Sequence, residues 1–129
     1  NFGMTLDTGH LNLSTKYLGQ DFKAAVKECA PYVKHIHVSD NTGKFELTRI
    51  TDIVKYRALN SNYRMAFGCG DIHLPPGWGE IDFDFIFKEL AAVGYDGIFL
   101  CEYMDPKFNL FHKTVQENVR AKVNAIFNK

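Results

Sequence analysis

The sequence predicts an α/β fold in which parallel strands are covered by helices on their outer side. Short apolar runs alternate with segments of helical periodicity, in the order strand, helix, strand, insertion, helix, strand and helix. This alternation is typical of parallel sheets, because two parallel strands need a long crossover that is usually a helix. Histidine and carboxylate residues follow several of the apolar runs, where the strands are expected to end.

The first half of the chain contains two predicted strands and one predicted helix. Residues 2–6 form an apolar strand candidate, and residues 11–20 are predicted to be a loop because asparagine, serine and glycine interrupt them. Asp21 is a predicted N-cap for a helix whose apolar periodicity stops at Pro31. Residues 33–38 then predict the second strand.

The second half begins with a mixed insertion, residues 44–67, in which residues 51–59 are compatible with a short helix. Basic residues concentrate in the insertion and form either a phosphate contact or a solvated face: Lys44, Arg49, Lys55, Arg57 and Arg64. The chain then continues as a loop rich in glycine and proline, a helix, a strand and an amphipathic helix, at residues 68–80, 82–94, 97–101 and 110–127.

Three strand–helix units leave a parallel sheet with open edges, which is rarely stable alone. Asn1 is not an initiator methionine, and the first candidate functional residue follows almost at once. We therefore expect residues 1–129 to be the C-terminal portion, about three βα units, of a (β/α)8 TIM barrel whose N-terminal part is absent. A doubly wound sheet is the alternative, but the glycine-rich stretch lacks the GxGxxG pattern of a dinucleotide site.

The composition argues against several classes of protein. The 129 residues carry 15 basic and 15 acidic side chains, and zero net charge produces no overall field that would attract nucleic acid. No apolar run approaches the ~20 residues that span a bilayer, so no membrane partner is expected. The cysteines lack a CxxC spacing, which argues against a disulfide framework and indicates a reducing cytoplasm, at Cys29, Cys69 and Cys101.

Nitrogen and oxygen donors follow the first two predicted strands. Asp7 and His10 are three residues apart, and a turn-forming aspartate with a surface histidine is the alternative interpretation. His35 and His37 lie on one face of the second strand, because side chains alternate along a strand. His37 is nearer the carboxyl end, where barrel active sites lie, so it is the better ligand candidate and His35 the better supporting residue.

Further donors occur in the last third of the chain. Asp71 and His73 are two residues apart in the glycine-rich loop, for which an ordinary connecting turn is the alternative. Glu102 follows an apolar strand, where a carboxylate is costly unless it is paired or bound to metal. Trp78 is a candidate wall for a sugar ring, with simple packing as the alternative, and His112 is expected on the surface. Such donors at successive strand ends predict a divalent metal site.

Four motifs, in this order, resemble the xylose isomerase-like barrel superfamily, which contains sugar and sugar-phosphate isomerases and epimerases as well as apurinic endonucleases (AP endonuclease family 2). The motifs spread over nearly the whole chain, and the resemblance implies that they match the sixth to eighth strands of the barrel. They are LDTGH at 6–10, HIHVSDN at 35–41, DIHLPPGWGEIDF at 71–83, and GYDGI at 94–98 before Glu102.

The resemblance also implies roles for individual residues. The ligands of the main divalent metal (Mn²⁺, Mg²⁺, Co²⁺ or Zn²⁺) would be Asp7, His37 and Glu102. Substrate contacts in the isomerases, or ligands of additional zinc ions in the endonucleases, would be His10, Asp71 and His73. The family's metal-binding glutamate on the fifth strand has no counterpart here, so the resemblance implies an incomplete site.

By the same resemblance, the protein is expected to be a metal-dependent sugar or sugar-phosphate isomerase or epimerase that acts through an enediolate. Glu102 and His10 are the predicted catalytic residues, and the predicted substrate contacts are His10, Asp71, His73 and Trp78. The alternatives are a zinc-dependent apurinic-site phosphodiesterase and a non-catalytic fragment, and an isolated fragment is expected to be inactive. The expected partner is a small sugar rather than nucleic acid, and the open sheet edges favour a homo-oligomer.

Overall fold

The structure is a computed structural model that describes residues 2–44, 68, 70–103 and 106–127. The short helix predicted in the insertion lies outside these residues. So do Cys69 and four of the basic residues, Arg49, Lys55, Arg57 and Arg64. In the described part of the chain, no helix is both long enough and apolar enough to cross a membrane.

The described residues contain a parallel sheet of three strands in chain order, which confirms the predicted α/β architecture. Strands β1, β2 and β3 comprise Met4–Asp7, Val33–Val38 and Phe99–Cys101. The register pairs Asp7 with His37 and His37 with Leu100. Because the strands are parallel, their carboxyl ends meet at one edge of the sheet, and the residues that end them lie side by side.

Four α-helices accompany the strands in the described residues. Helices α1 to α4 comprise Thr8–Leu18, Phe22–Cys29, Phe83–Ala92 and His112–Phe127. Short 3₁₀ helices cover Ala30–Tyr32 and Pro106–Phe111. The predicted cap at Asp21 is confirmed, because its carboxylate accepts an N–H hydrogen bond from the first turn of α2, and Asp82 caps α3 in the same way. Strand β3 and helix α4 each begin two residues later than predicted.

One face of the sheet packs against the helices, and the other carries the polar residues. Ile36 and Val38 of β2 are fully buried. They share a core cluster with side chains from α2, α3 and α4, namely Val26, Ile86, Phe87, Leu90 and Val119. Burial of each such side chain contributes about 1.5–3 kcal/mol. His35 and His37 alternate with these residues along β2 and therefore project from the opposite face.

Residues 8–18 form helix α1, so the loop predicted for residues 11–20 is wrong. The helix begins after Asp7, whose Oδ1 accepts the N–H of His10 at 2.9 Å, and ends at Gly19, whose φ of 65° suits a glycine C-cap. Asn12 and Thr15, which weaken the apolar periodicity of this segment, are both buried in hydrogen-bonded positions. A helix that buries polar side chains lacks the apolar pattern by which helices are recognised in a sequence.

Candidate metal centre

The three strands bring Asp7, His37 and Glu102 together, and we call these residues the strand-end group. Asp7 ends β1 and pairs in register with His37 of β2. Glu102 follows β3, and its backbone N–H donates to the carbonyl of Val38 at 3.1 Å. One potential ligand atom from each member lies within 4.8 Å of the others. Parallel strand pairing thus places three donors within reach of one cation.

The Asp7 carboxylate uses its two oxygens differently. Oδ1 accepts hydrogen bonds from the His10 N–H (2.9 Å) and the Ser39 hydroxyl (3.1 Å). Oδ2 is buried and has no hydrogen-bond partner among the described residues; Nδ1 of His37 is 3.7 Å away and Nδ1 of His10 is 4.0 Å away. A buried carboxylate oxygen without a partner is unfavourable, and a bound cation would remove that cost. The donors therefore fit a metal ion.

His37 and Glu102 form the accessible side of the strand-end group. Nδ1 of His37 lies 2.6 Å from Oε2 of Glu102. The two side chains are 29% and 27% exposed, so a small molecule can reach them. The ring of His35 packs edge to face on His37 with centroids 5.0 Å apart. His35 thus lies beside the strand-end group, next to a potential ligand.

A second set of donors, Asp7, His10 and His73, also has ligand atoms within 4.8 Å of one another, and we call it the loop group. Asp71 connects its two histidines. Oδ2 of Asp71 lies 3.1 Å from Nε2 of His10, and Oδ1 lies 3.0 Å from Nε2 of His73. The two imidazole rings meet edge to face with centroids 5.4 Å apart. Asp7 belongs to both groups, so the six donor residues predicted from the sequence form one continuous polar cluster.

His73 has an unusual backbone and electrostatic environment. Its φ is 41°, a left-handed value that residues other than glycine seldom adopt. The hydrogen bond with Asp71 raises the pKa of His73 to about 9, against the opposing effect of burial. Burial by itself raises the pKa of Asp71, but the hydrogen bonds and charges of His73 and His10 outweigh it and lower that pKa. The metal-free loop group is therefore organised around an ion pair.

Cys101 is adjacent to Glu102 in the chain but is poorly suited to bind a cation. Burial raises the pKa of the Cys101 thiol. A cysteine ligand has to be a thiolate, which this environment disfavours. The cluster therefore offers nitrogen and oxygen donors.

The described contacts of Trp78 are aromatic. Its ring packs edge to face against Phe108 and Phe111 of the second 3₁₀ helix, with centroids 5.6 and 5.1 Å apart, and half of the side chain is exposed. This environment fits the packing alternative, and the sugar contact stays a prediction. His112 is exposed, as predicted, but Nδ1 of its ring lies 2.8 Å from the Tyr103 hydroxyl.

Polar residues that the sequence did not single out hold the strand-end group in place. The Thr8 hydroxyl donates to the Ser39 carbonyl (2.6 Å) and accepts the Ser39 N–H (3.0 Å), which joins the start of α1 to the end of β2. The amide of Asn41 accepts from Asn12 (2.9 Å) and donates to the carbonyl of Gly9 (2.8 Å). Each partner is 29 to 32 residues away along the chain, so no local pattern reveals these bonds.

Curated relatives of the chain include inosose dehydratases. The protein from Bacillus thuringiensis (strain Al Hakam) is 32% identical over 99 residues, which cover 77% of this chain and 29% of the relative. The protein from Geobacillus thermodenitrificans (strain NG80-2) is 32% identical over 96 residues, which cover 74% of this chain and 28% of the relative. The chain thus spans less than a third of the length of these relatives.

A solved structure and a family model give the same assignment of fold. A D-tagatose 3-epimerase-like protein matches with a TM-score of 0.60 at 23% identity, over 97% of this chain and 37% of that protein. At that identity the likeness shows the fold alone. The family model described as xylose isomerase-like TIM barrel matches residues 1–125. The chain therefore belongs to the xylose isomerase-like TIM barrel family, and the resemblance and fold class predicted from its motifs are confirmed.

Proposed function

We propose that the chain supplies part of a divalent-metal site in an enzyme that moves a proton next to a carbonyl group of a sugar or sugar phosphate. The observation that carries this proposal is the buried Oδ2 of Asp7, which has no hydrogen-bond partner among the described residues and lies between the imidazoles of His37 and His10. A cation is the partner that this arrangement of donors best accommodates.

The strand-end group would hold the cation through Asp7, His37 and Glu102. Mixed carboxylate and imidazole donors suit Mn²⁺, Co²⁺ and Zn²⁺ better than Mg²⁺, which prefers a shell of oxygen ligands. When bound, the cation would act as a Lewis acid that stabilises negative charge on the substrate oxygens. The loop group would supply further donors or bind substrate hydroxyls through His10 and His73.

Glu102 would take or return the proton. Its carboxylate is partly exposed and held 2.6 Å from Nδ1 of His37, so it is both oriented and accessible. His10, whose side chain is 57% exposed, would contact the substrate and orient its hydroxyl groups. A second acid or base, on the opposite face of the substrate, would come from a part of the barrel beyond these three strands.

The reaction type has two candidates within this chemistry. The motifs favour an isomerase or epimerase, in which the proton returns to a neighbouring carbon or to the other face of the same carbon through an enediolate. The names of the curated relatives favour a dehydratase as the second candidate. Loss of water next to a ketone begins with the same proton removal, so one site geometry serves both outcomes.

The extent of the whole enzyme is part of the proposal. We propose that residues 1–129 form the sixth to eighth strands of the barrel with their helices, because the motifs occur in that order and the matched segment makes up only 29% of the relative from Bacillus thuringiensis. The remaining units would supply the fifth-strand glutamate and cover the edges of β1 and β3, which have no partner strand among the described residues. Alternatively, a second copy of the chain covers those edges. The molecular mass in solution distinguishes the two cases, because only the second requires a dimer.

Metal content tests the site. The complete polypeptide that carries this chain is loaded with Mn²⁺ or Zn²⁺, freed of excess ion and measured by elemental analysis, beside Asp7→Asn. We expect about one equivalent in the unsubstituted protein and none in the variant. Asp21→Asn, which alters an exposed cap of α2, is the matched control and should keep the metal. Absence of metal from the unsubstituted protein would overturn the proposal, and about three zinc ions would favour the phosphodiesterase.

Turnover in D₂O tests the chemistry. The same polypeptide is incubated with panels of ketoses, ketose phosphates and cyclic polyol ketones, and with an oligonucleotide that contains an abasic site. We expect deuterium on the carbon next to the carbonyl group in an isomerised or epimerised product, and loss of water in a dehydrated one. Cleavage of the abasic strand without exchange on any sugar would contradict the proposed reaction.

A further inference from the structure

The buried carboxylate of Asp40 accepts hydrogen bonds from backbone N–H groups of the glycine-rich loop. Asp40 is fully buried and follows the end of β2 by two residues. Oδ2 accepts the N–H groups of Gly77 (2.9 Å) and Gly79 (2.8 Å), while Oδ1 accepts those of Ile81 (3.2 Å) and Asn41 (2.8 Å). Three of these four donors belong to the loop, so the carboxylate fixes the loop against the end of the strand.

The backbone of Asp40 holds the same loop at a second point. Its N–H donates to the carbonyl of Leu74 (2.9 Å), and its carbonyl accepts the N–H of Leu74 (2.8 Å). Leu74 directly follows His73, the buried member of the loop group. The backbone of Asp40 therefore fixes Leu74, the residue that directly follows the potential metal ligand His73.

His73 needs such a support. Its φ of 41° is costly for a residue with a side chain and persists only where the surroundings determine it. Asp40 meets that condition, because it forms two backbone hydrogen bonds with Leu74, the residue after His73. Its carboxylate accepts three more from the N–H groups of residues 77, 79 and 81. Asp71 binds the imidazole of His73, whereas Asp40 acts on the backbone.

The glycines of the loop permit the close approach to Asp40. A Cβ atom at Gly79 would lie 2.2 Å from the carbonyl oxygen of Asn41 and 2.3 Å from Oδ1 of Asp40. At Gly77 the space is open, but φ is 92°, a conformation that a side chain disfavours. Substitution at Gly77 therefore disturbs the loop without placing an atom against the carboxylate.

We propose that Asp40 is a positioning residue for the metal centre: through its bonds to Leu74 and the glycine loop, it holds the strained backbone of His73 and thereby sets the affinity for a divalent cation. This inference rests on the proposed function, and in particular on the case in which His73 supplies a donor to the bound cation. Asp40 itself belongs to neither donor group.

The test is an Mn²⁺ titration of the complete polypeptide, followed by electron paramagnetic resonance, with Asp40→Asn. An amide offers one acceptor oxygen where the carboxylate offers two, so the loop loses bonds to Gly77 and Gly79 or to Ile81 and Asn41. We expect Mn²⁺ to bind about 10–100-fold more weakly, the range found for residues that support metal ligands. The titration is made at a temperature where circular dichroism reports the same folded fraction in both proteins.

Two further variants separate positioning from folding. Asp82→Asn changes the exposed cap of α3 and should leave Mn²⁺ affinity unchanged. Gly77→Ala leaves Asp40 intact and should weaken Mn²⁺ binding as well, with faster exchange of the amide hydrogens of residues 77 and 79. If Asp40→Asn does not fold, Gly77→Ala decides the question.

The outcomes distinguish the two proposals. A folded Asp40→Asn protein that melts at a lower temperature yet binds Mn²⁺ as tightly as the unsubstituted protein would overturn the positioning role and leave the proposed function intact. Failure of the unsubstituted protein to bind Mn²⁺ or Zn²⁺ would overturn both, because no metal ligand would remain to be positioned.

Discussion

The two groups of donors share Asp7 but are held in place by different means. In the strand-end group, the hydrogen bonds of a parallel sheet place Asp7 beside His37 and bring Glu102 next to both. In the loop group, His10 lies on helix α1 and His73 on an irregular loop, where Asp71 contacts the imidazole of His73 and Asp40 bonds to the backbone that follows it. Strand pairing thus aligns the strand-end group, and the hydrogen bonds of Thr8 and Asn41 support it. The loop donor His73 depends instead on Asp71 and Asp40.

The difference also determines how each group responds to substitution. A change at a strand end alters one donor while the sheet continues to hold its neighbours, so its effect should be local. The loop that carries Asp71 and His73 lies outside the three strands. Its donors depend on one another and on Asp40, which follows β2. The three substitutions below test this contrast, from the largest expected effect to the smallest.

Glu102→Gln should have the largest effect. The substitution removes the base while keeping the shape of the side chain and the strand pairing of β3. We expect turnover of the complete enzyme to fall about 10²–10⁴-fold, the usual contribution of a positioned acid or base, with the fold unchanged. The rate is measured on the substrate identified in the D₂O assay, and circular dichroism reports on the fold.

Glu117→Gln is the matched control for this experiment, because Glu117 is an exposed carboxylate of α4, 3.9 Å from Lys113. It should leave the rate unchanged. Retention of turnover by Glu102→Gln would remove Glu102 from the mechanism.

Gly9→Ala should have an intermediate effect that is confined to the strand-end side. A Cβ atom there would lie 2.6 Å from the Ser39 hydroxyl and 3.3 Å from Oδ1 of Asp7, so the hydroxyl must move away from the carboxylate. We expect the free energy of unfolding to fall by about 1–3 kcal/mol, as for other overpacked sites, and Mn²⁺ to bind more weakly. Urea denaturation and Mn²⁺ titration measure these changes.

The exposed Ser14 lies in the same helix, and Ser14→Ala should change the free energy of unfolding by less than about 0.5 kcal/mol. Unchanged stability and unchanged Mn²⁺ affinity in Gly9→Ala would mean that Ser39, at the end of β2, moves away at little cost in free energy. The effect expected at the strand-end group would then be wrong.

Asp71→Asn should have the smallest effect, a change of titration in the metal-free protein. The bond with Asp71 is the largest cause of the raised pKa of His73, so that pKa should fall from about 9. Because the folded pKa exceeds the ordinary 6.5, the stabilisation is complete below about pH 6.5 and disappears as the pH rises through about 9. The variant should lose that dependence.

Nuclear magnetic resonance titration of the His73 ring measures the pKa, and thermal melting between pH 6 and 10 measures the stability. Asp84→Asn, an exposed carboxylate on α3, is the control and should leave the titration of His73 unchanged. An unaltered pKa in Asp71→Asn would show that His73 does not depend on Asp71, contrary to the interdependence expected of the loop group.

Much of the fold could be predicted because its signals are local. The apolar run of β2 and the cap at Asp21 are signals carried by neighbouring residues, and both lie where the sequence predicts them. Helix α1 was missed because its buried side chains include Asn12 and Thr15, whose partners lie elsewhere in the fold or on the helix backbone. Periodicity reports only helices that bury an apolar face.

The sequence by itself identified the candidate ligands and predicted that the donors at the strand ends share one edge of the sheet, because the βα alternation makes the strands parallel. The tertiary structure alone decided which atoms meet: the pairing of Asp7 with His37, the unpartnered Oδ2 of Asp7, and the grip of Asp40 on the loop that carries His73. These contacts join residues about 30 or more positions apart, and a hydrogen bond over such a distance leaves no trace in local composition.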